Sequence, residues 1–353
     1  MPDSPFDSIE ALRASLGASL CIVGHHYQTE EVIRHTDIRG DSLELARRVA
    51  EVTAEHIVFC GVYFMGESAA LLARPGQKVH LPAPAAECSM ALMSSAPELE
   101  RVMNRLCHSG RKVIPLAYVN STLAVKAVVG RYGGAVCTSA NARRMLEWAF
   151  AQGDAVLFLP DMNLGRNSAR AMGLTELDQY IVDLDAFAPA GRPEADDAAP
   201  SAADRARLLL WPGYCSIHTD FTPAMVSDMR TRHPGAKIIV HPECTPEVTR
   251  AADGAGSTSF LIDYAAKAPD GATLIIGTEV NLVRRLAGMH KHRLRILPLA
   301  ESACEYMAEI TELRLLALLE GIARGDSGLC VRVAEELKAP ARASLERMLR
   351  ACA

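Results

Sequence analysis

Three stretches, CIVGHHYQ at Cys21–Gln28, IPLAYVNST at Ile114–Thr122 and IIVHPECTPE at Ile238–Glu247, share one pattern: an apolar run that breaks abruptly into polar residues. A short hydroxyl-bearing turn follows each, GDSLELA from Gly40, CTSANA from Cys137 and GSTSF from Gly256. A second apolar run with a polar exit comes next, VFCGVYFMGES from Val58, VLFLPDMNLG from Val156 and LIIGTEVN from Leu274. A cysteine closes each unit: Cys88, Cys215 and Cys304. Self-similarity at a fixed period sets the architecture before any local motif does, and here the period is domain-sized, about 95 residues from His25 to Asn120.

Short Val, Ile and Leu runs without alternation are the pattern of parallel strands buried on both faces. They alternate with amphipathic helical stretches such as SLELARRVAEV and ANARRMLEWAFAQ, which makes βαβ units. The predicted fold is therefore α/β, with three αβα units, each on a short parallel sheet. Their boundaries fall at 1–95, 96–184 and 208–306. In such sheets ligands gather at the carboxyl ends of the strands, where the polar exits stand. Three units arranged about a pseudo-threefold axis would turn those edges toward one central cavity. The excess length between the second and third units lies in 185–207, DAFAPAGRPEADDAAPSAADRAR, whose composition predicts a solvated surface insertion. The tail, 307–353, is expected to form helices that pack back on the first unit.

The 353 residues, 49% of them hydrophobic, carry a net charge of only −5, as expected of a soluble globular protein. Lys and Arg are scattered, so no nucleic-acid partner is expected. The longest apolar stretches fall well short of the roughly 20 residues of a membrane span. The start, MPDSPFDSIEALRASLG, lacks the basic and apolar regions of a signal peptide, so the expected location is cytoplasmic. Neither a phosphate-binding G-x-x-x-x-G-K-[ST] nor a helix-opening G-x-G-x-x-G occurs, and no nucleotide cofactor is indicated.

Ten cysteines in a reducing compartment favour metal binding or catalysis over disulfides. Cys21, Cys60, Cys137 and Cys244 lie in or beside apolar runs and read as small buried hydrophobes. Cys107, Cys330 and Cys352 show no ligand spacing. Cys88, Cys215 and Cys304 are far apart in sequence and have no fourth partner, unlike the close pairs of a structural zinc site. Iron–sulfur clusters are held by thiolates; one tied to protein through only three irons leaves the fourth for substrate, as a Lewis acid in a dehydration. On spacing alone, purely structural thiols are the favoured reading, because scattered cysteines are usually structural.

His25, Tyr27, Tyr118, Asn120, His218 and His241 offer hydrogen bonds suited to carboxylates and carbonyls. Ser42, Ser139, Ser257 and Thr258 stand at predicted helix N-termini, which favour anions. Glu67 and Glu279, at strand exits, are open between catalysis and helix capping. Asp161 and Asn163 are open between function and turn formation. His26 reads as a structural neighbour of His25, and Met307 as a core residue.

In their order from Ile22 to Met307, GHHYQ, GDSLELA, FCGVYFMGES, AECSMA, AYVNST, CTSANA, FLPDMNLGRN, WPGYCSIHTDF, HPEC, GST, GTE and CEYM resemble the quinolinate synthase A family of bacterial NAD biosynthesis. The resemblance implies three αβα domains about a pseudo-threefold axis, with an oxygen-sensitive [4Fe-4S] cluster held by Cys88, Cys215 and Cys304. It implies a transferase that condenses iminoaspartate with dihydroxyacetone phosphate to quinolinate, phosphate and water. L-Aspartate oxidase, the source of iminoaspartate, is then a candidate for transient contact. Carried over by motif, His25, Ser42, Ser139 and Thr258 hold substrate carboxylates, with Ser257 in support. Tyr27, Tyr118 and Asn120 orient the triose, Glu243 serves as acid and base, and His218 and His241 bind phosphate or relay protons. Cys304 has no cysteine beside it, so no regulatory disulfide is expected there. Two rival classes are the diphthamide-forming enzymes, which also have three dispersed cysteines, and an iron or redox sensor; HHYQ, HPEC and GTE argue against the first, and the second lacks a recognisable DNA-binding helix.

Overall fold

The computed structural model describes residues 4–187, 202–326 and 330–352. Its strands form three sheets, and every pairing within them is parallel. The first sheet holds β1 (Leu20–His25), β2 (Ile38–Gly40), β3 (His56–Cys60) and β4 (Lys78–His80), in the order β2-β1-β3-β4. The second holds β5 (Val113–Tyr118), β6 (Ala135–Cys137), β7 (Ala155–Leu159), β8 (Gln179–Ile181) and β9 (Leu208–Leu210), in the order β6-β5-β7-β9-β8. The third holds β10 (Lys237–Val240), β11 (Gly254–Ala255), β12 (Thr273–Gly277) and β13 (Arg295–Pro298), in the order β11-β10-β12-β13. The expected α/β fold of three αβα units on short parallel sheets is present, and one strand order recurs in each.

The apolar runs became central strands because both of their faces are covered. β5 and β7 are buried at every position. The core of the second sheet joins Val113, Ala117, Leu157, Leu159 and Leu209 to Leu99, Val102, Val125 and Val128 of the flanking helices, with Trp211 beneath. The third sheet buries Ile239, Leu274 and Ile276 against Leu261, Leu282 and Leu286 in the same way.

The chain forms two compact bodies. One comprises Met1–Cys88, Asp220–His241 and Glu247–Ala334, with the first and third sheets; the other comprises Ser89–Thr219, Pro242–Pro246 and Glu335–Ala353, with the second. The second sheet departs from the simple repeat because β8 adds a fifth strand at its edge. The long 185–207 segment is also more embedded than its composition suggests. Residues 188–201 lie outside the described residues, but Ala203 and Ala206 are buried in the core of the second sheet, and Leu184 and Phe187 pack against it. Small alanines fit under the sheet edge, and Arg111 donates to the carbonyls of Ala203 and Ala206.

The tail divides. The helix Glu312–Ala323 packs against Pro5–Leu16, where the two ring nitrogens of the buried His35 lie 2.8 Å from the Glu10 and 2.8 Å from the Glu312 carboxylates. The helix Glu335–Ala351 instead packs on Leu123–Arg131 and β6 of the second sheet, correcting the expectation that the whole tail joins the first unit. Arg347 donates to the carbonyls of Gly130 at 3.2 Å and Gly134 at 2.6 Å. Gly130 is the reason the helices can approach: a Cβ there would lie 1.9 Å from the Pro340 carbonyl oxygen. Gly130→Ala is expected to cost about 2 to 3 kcal/mol, read as a lower urea midpoint at unchanged slope. An unchanged midpoint would mean that this packing contributes little.

Candidate functional site

In the body with the first and third sheets, β1 ends in a loop whose side chains face the third sheet's strand exits. His25 is buried, and desolvation pushes its imidazole down to about 3, so the ring is neutral. Its Nδ1 accepts the Tyr27 N–H at 3.2 Å, and the two rings meet edge to face at 4.7 Å. His26 is also neutral, lowered by burial to about 4. The Tyr27 hydroxyl lies 3.0 Å from Thr278 Oγ1 and accepts a 3.4 Å hydrogen bond from Thr258. Ser257 caps the helix Thr258–Lys267 by accepting the Phe260 N–H. Ser42 opens the helix Ser42–Val49, and its neighbour Asp41 accepts from the Ser259 hydroxyl. His241 leaves β10 buried, its N–H bonded to the Gly277 carbonyl at 2.9 Å.

Three successive carbonyls of the HHYQ loop are gripped by the helix Val280–His290. Arg285 donates to His26 O at 2.8 Å and to Gln28 O, and Asn281 Nδ2 donates to Tyr27 O at 3.4 Å. Gln28 donates in turn to Met307 Sδ at 3.2 Å, so this core methionine also anchors the loop. Asn281 and Arg285 were invisible in sequence, where they read as the ordinary polar face of a helix.

In the other body, His218 and Glu243 are almost wholly buried, with Nδ1 and Oε2 2.9 Å apart. Cys215 joins them: one ligand atom from each of Cys215, His218 and Glu243 lies within 4.8 Å of the others. The HPEC loop is fixed by Asn167, which donates to Pro242 O and Cys244 O at 2.8 Å each. Asp161 is buried, and its carboxyl titrates well above the usual range, first through desolvation and then through the nearby Glu243. Tyr118 ends β5, buried, with its carbonyl held by the Ser121 hydroxyl. The buried Lys126 ammonium donates to the Ser121 carbonyl, a support within a helix that the sequence pattern did not single out. The Asn120 Oδ1 atom is buried without a hydrogen-bond partner among the described residues. Ser139 lies half-buried in the turn ahead of the helix Ala142–Phe150, where Asn141 Oδ1 accepts the Thr138 N–H at 2.7 Å.

The three cysteines stand in one local frame. Each directly precedes a four-residue helix: Cys88 before Ser89–Leu92, Cys215 before Ser216–Thr219 and Cys304 before Glu305–Ala308. Two residues ahead of each, a carbonyl accepts the N–H of the first residue of the helix that follows the unit's third apolar strand. These bonds are Tyr63 to Ala86 at 2.8 Å, Met162 to Gly213 at 2.9 Å and Val280 to Ser302 at 2.9 Å. All three thiols are partly accessible, and none of the ten cysteines forms a disulfide. Cys21, Cys60, Cys137 and Cys244 differ, being buried. Desolvation pushes Cys21 up to about 11 and Cys60 up to about 12, which makes them inert as thiolates. Cys88, Cys215 and Cys304 are each half-buried in the same backbone frame, and partly accessible thiols are the ones able to serve as thiolate ligands.

Asp161 and Glu279 resolve as helix caps. Asp161 accepts the Leu164 N–H at 2.7 Å, and Glu279 accepts the Asn281 N–H at 2.8 Å. Burial raises the Glu279 carboxyl to about 7. Among the described residues no helix is long and apolar enough to cross a membrane.

The family model of the quinolinate synthetase A protein matches residues 7–350. The chain is 42% identical to the quinolinate synthase of Acidobacterium capsulatum over 99% of its own length and 94% of that protein's. It is 43% identical to that of Streptomyces coelicolor, covering 96% and 86% of the two chains, and 42% identical to that of Bacillus subtilis, covering 97% and 91%. With a match that spans all three sheets and all three framed cysteines, the chain belongs to the quinolinate synthetase A family.

Proposed function

We propose that this protein makes quinolinate for NAD biosynthesis by condensing iminoaspartate with dihydroxyacetone phosphate, releasing one phosphate and two waters. The observation that supports it is the repeated frame around Cys88, Cys215 and Cys304, within a chain that has the family's motifs throughout. Those three thiolates would hold a [4Fe-4S] cluster, which when bound supplies a Lewis-acidic iron to a substrate oxygen.

The chain's own residues carry the rest. Tyr27, set by Thr278 and Thr258, orients a carbonyl or hydroxyl of substrate; neutral His25 contributes a directional hydrogen bond. Tyr118 and the uncommitted Asn120 Oδ1 do the same from the β5 exit. Ser42, Ser139, Ser257 and Thr258, at helix starts, favour carboxylate and phosphate. Glu243 and His218 form a proton-transfer pair: the carboxylate orients the imidazole through Nδ1, and the pair exchanges a proton with substrate. His241 would contact phosphate. Location in the cytoplasm and contact with an L-aspartate oxidase accord with this chemistry.

The test is an anaerobic assay with enzymatically generated iminoaspartate, following quinolinate and inorganic phosphate together. A one-to-one ratio is expected; quinolinate formation from unphosphorylated dihydroxyacetone at equal rate would contradict the proposal. A second reading, a single metal ion on Cys215, His218 and Glu243, draws on the closeness of their ligand atoms. It predicts bound metal without acid-labile sulfide.

A further inference from the structure

Three segments of the body with the first and third sheets are joined in a closed circuit of hydrogen bonds. They are the HHYQ loop at the end of β1, the GDS turn at the end of β2 and the GSTS turn after β11. Between the loop and the GDS turn, the His26 N–H donates to the Gly40 carbonyl at 3.2 Å. Between the GSTS turn and the loop, the Thr258 hydroxyl donates to the Tyr27 hydroxyl at 3.4 Å. Asp41 closes the remaining side: its Oδ2 accepts the Ser259 hydroxyl, 218 positions away in the chain.

The two oxygens of Asp41 thus have separate partners. Oδ1 accepts the Glu44 N–H at 3.0 Å, an ordinary cap in the first turn of the helix Ser42–Val49. A cap needs no more than that oxygen. Oδ2 instead makes a charge-assisted bond, the stronger kind, to a residue carried by another sheet. Asp41 is buried, so water is a poor replacement for either partner. A carboxylate offers acceptors only, which suits Asp41 to hold donors of the protein and not a substrate carboxylate. Asp41 directly precedes Ser42, and Ser259 directly follows Thr258. The bond between them therefore constrains the separation of two hydroxyls that would hold substrate carboxylates.

We propose that Asp41 is a positioning residue: through Ser259 it fixes the Ser42 turn against the Thr258 turn and so sets the spacing at which the site receives a dicarboxylate. This rests on the assignment of Ser42 and Thr258 to substrate carboxylates. A site whose donors are already spaced spends less on ordering when the ligand binds.

The test uses Ser259→Ala in the anaerobically reconstituted full-length protein. The change removes one hydroxyl from an exposed residue, leaves the Asp41 bond to the Glu44 N–H in place and puts a good helix former in the first turn of Thr258–Lys267. Titration calorimetry with quinolinate is expected to show affinity weakened about tenfold, with kcat changed by less than about threefold and the urea midpoint unmoved. Ser259→Thr, which keeps the hydroxyl, should restore the affinity. Asp41→Ser, which keeps a capping oxygen on a shorter side chain, should weaken binding as Ser259→Ala does. Wild-type affinity in Ser259→Ala would overturn the proposal, whatever Asp41→Ser does, since Asp41 would then be a helix cap and no more. Affinity in Ser259→Thr no better than in Ser259→Ala would overturn it too. Wild-type protein that binds no quinolinate would instead overturn the substrate reading itself.

Discussion

Glu243→Gln is expected to lower kcat for quinolinate formation by about two to four orders of magnitude, the range for loss of a general acid–base group, with iron content unchanged. The glutamine keeps the volume and can still hydrogen-bond to His218, which lies 2.9 Å from the native carboxylate. The variant cannot accept a proton from the imidazole or from substrate. Since His218 and Glu243 are almost wholly buried, solvent water is a poor substitute. Steady-state kinetics with parallel iron analysis check this. Turnover within threefold of wild type would remove Glu243 from the chemistry, whereas loss of iron would make it a ligand.

Cys215→Ser is expected to eliminate activity and strip the cluster, because two thiolates leave too few anchors. The apoprotein should still fold, since the Met162-to-Gly213 bond and the Thr219-to-Cys215 backbone bond of the short helix use main-chain atoms. Cys60→Ala supplies the contrast. Its thiol is fully buried and pushed up to about 12, so iron content should be retained while packing is slightly loosened. Iron per chain, circular dichroism and activity, measured on both variants, separate the two roles. Retained iron and activity in Cys215→Ser would exclude it as a ligand.

The sheets were legible because burial on both faces leaves an unmistakable apolar run, and the repeat showed which runs correspond. The cysteine positions were legible for the same reason. The frame around them was not, because it is made of peptide N–H and carbonyl groups that leave no residue signature at Tyr63, Met162 or Val280. Asp161 and Glu279 had two readings in sequence, and capping, which the structure shows, was one. Arg285 and Lys126 were missed because a cation on a helix ordinarily faces solvent, whereas here each satisfies loop carbonyls at a buried site. β8 escaped notice because its three residues, QYI, carry too little apolar signal. The last helix was misplaced because its partner surface depends on the absence of a side chain at Gly130, which reads in sequence only as a weak spot in a helix.

The central claim is that three framed cysteines hold a cluster on which quinolinate formation depends. Iron and acid-labile sulfide, quantified in anaerobically purified protein beside the quinolinate assay, test it most directly. About four of each per chain are expected, with activity lost on chelation and restored on reconstitution. A colourless, iron-free protein that still formed quinolinate would contradict it.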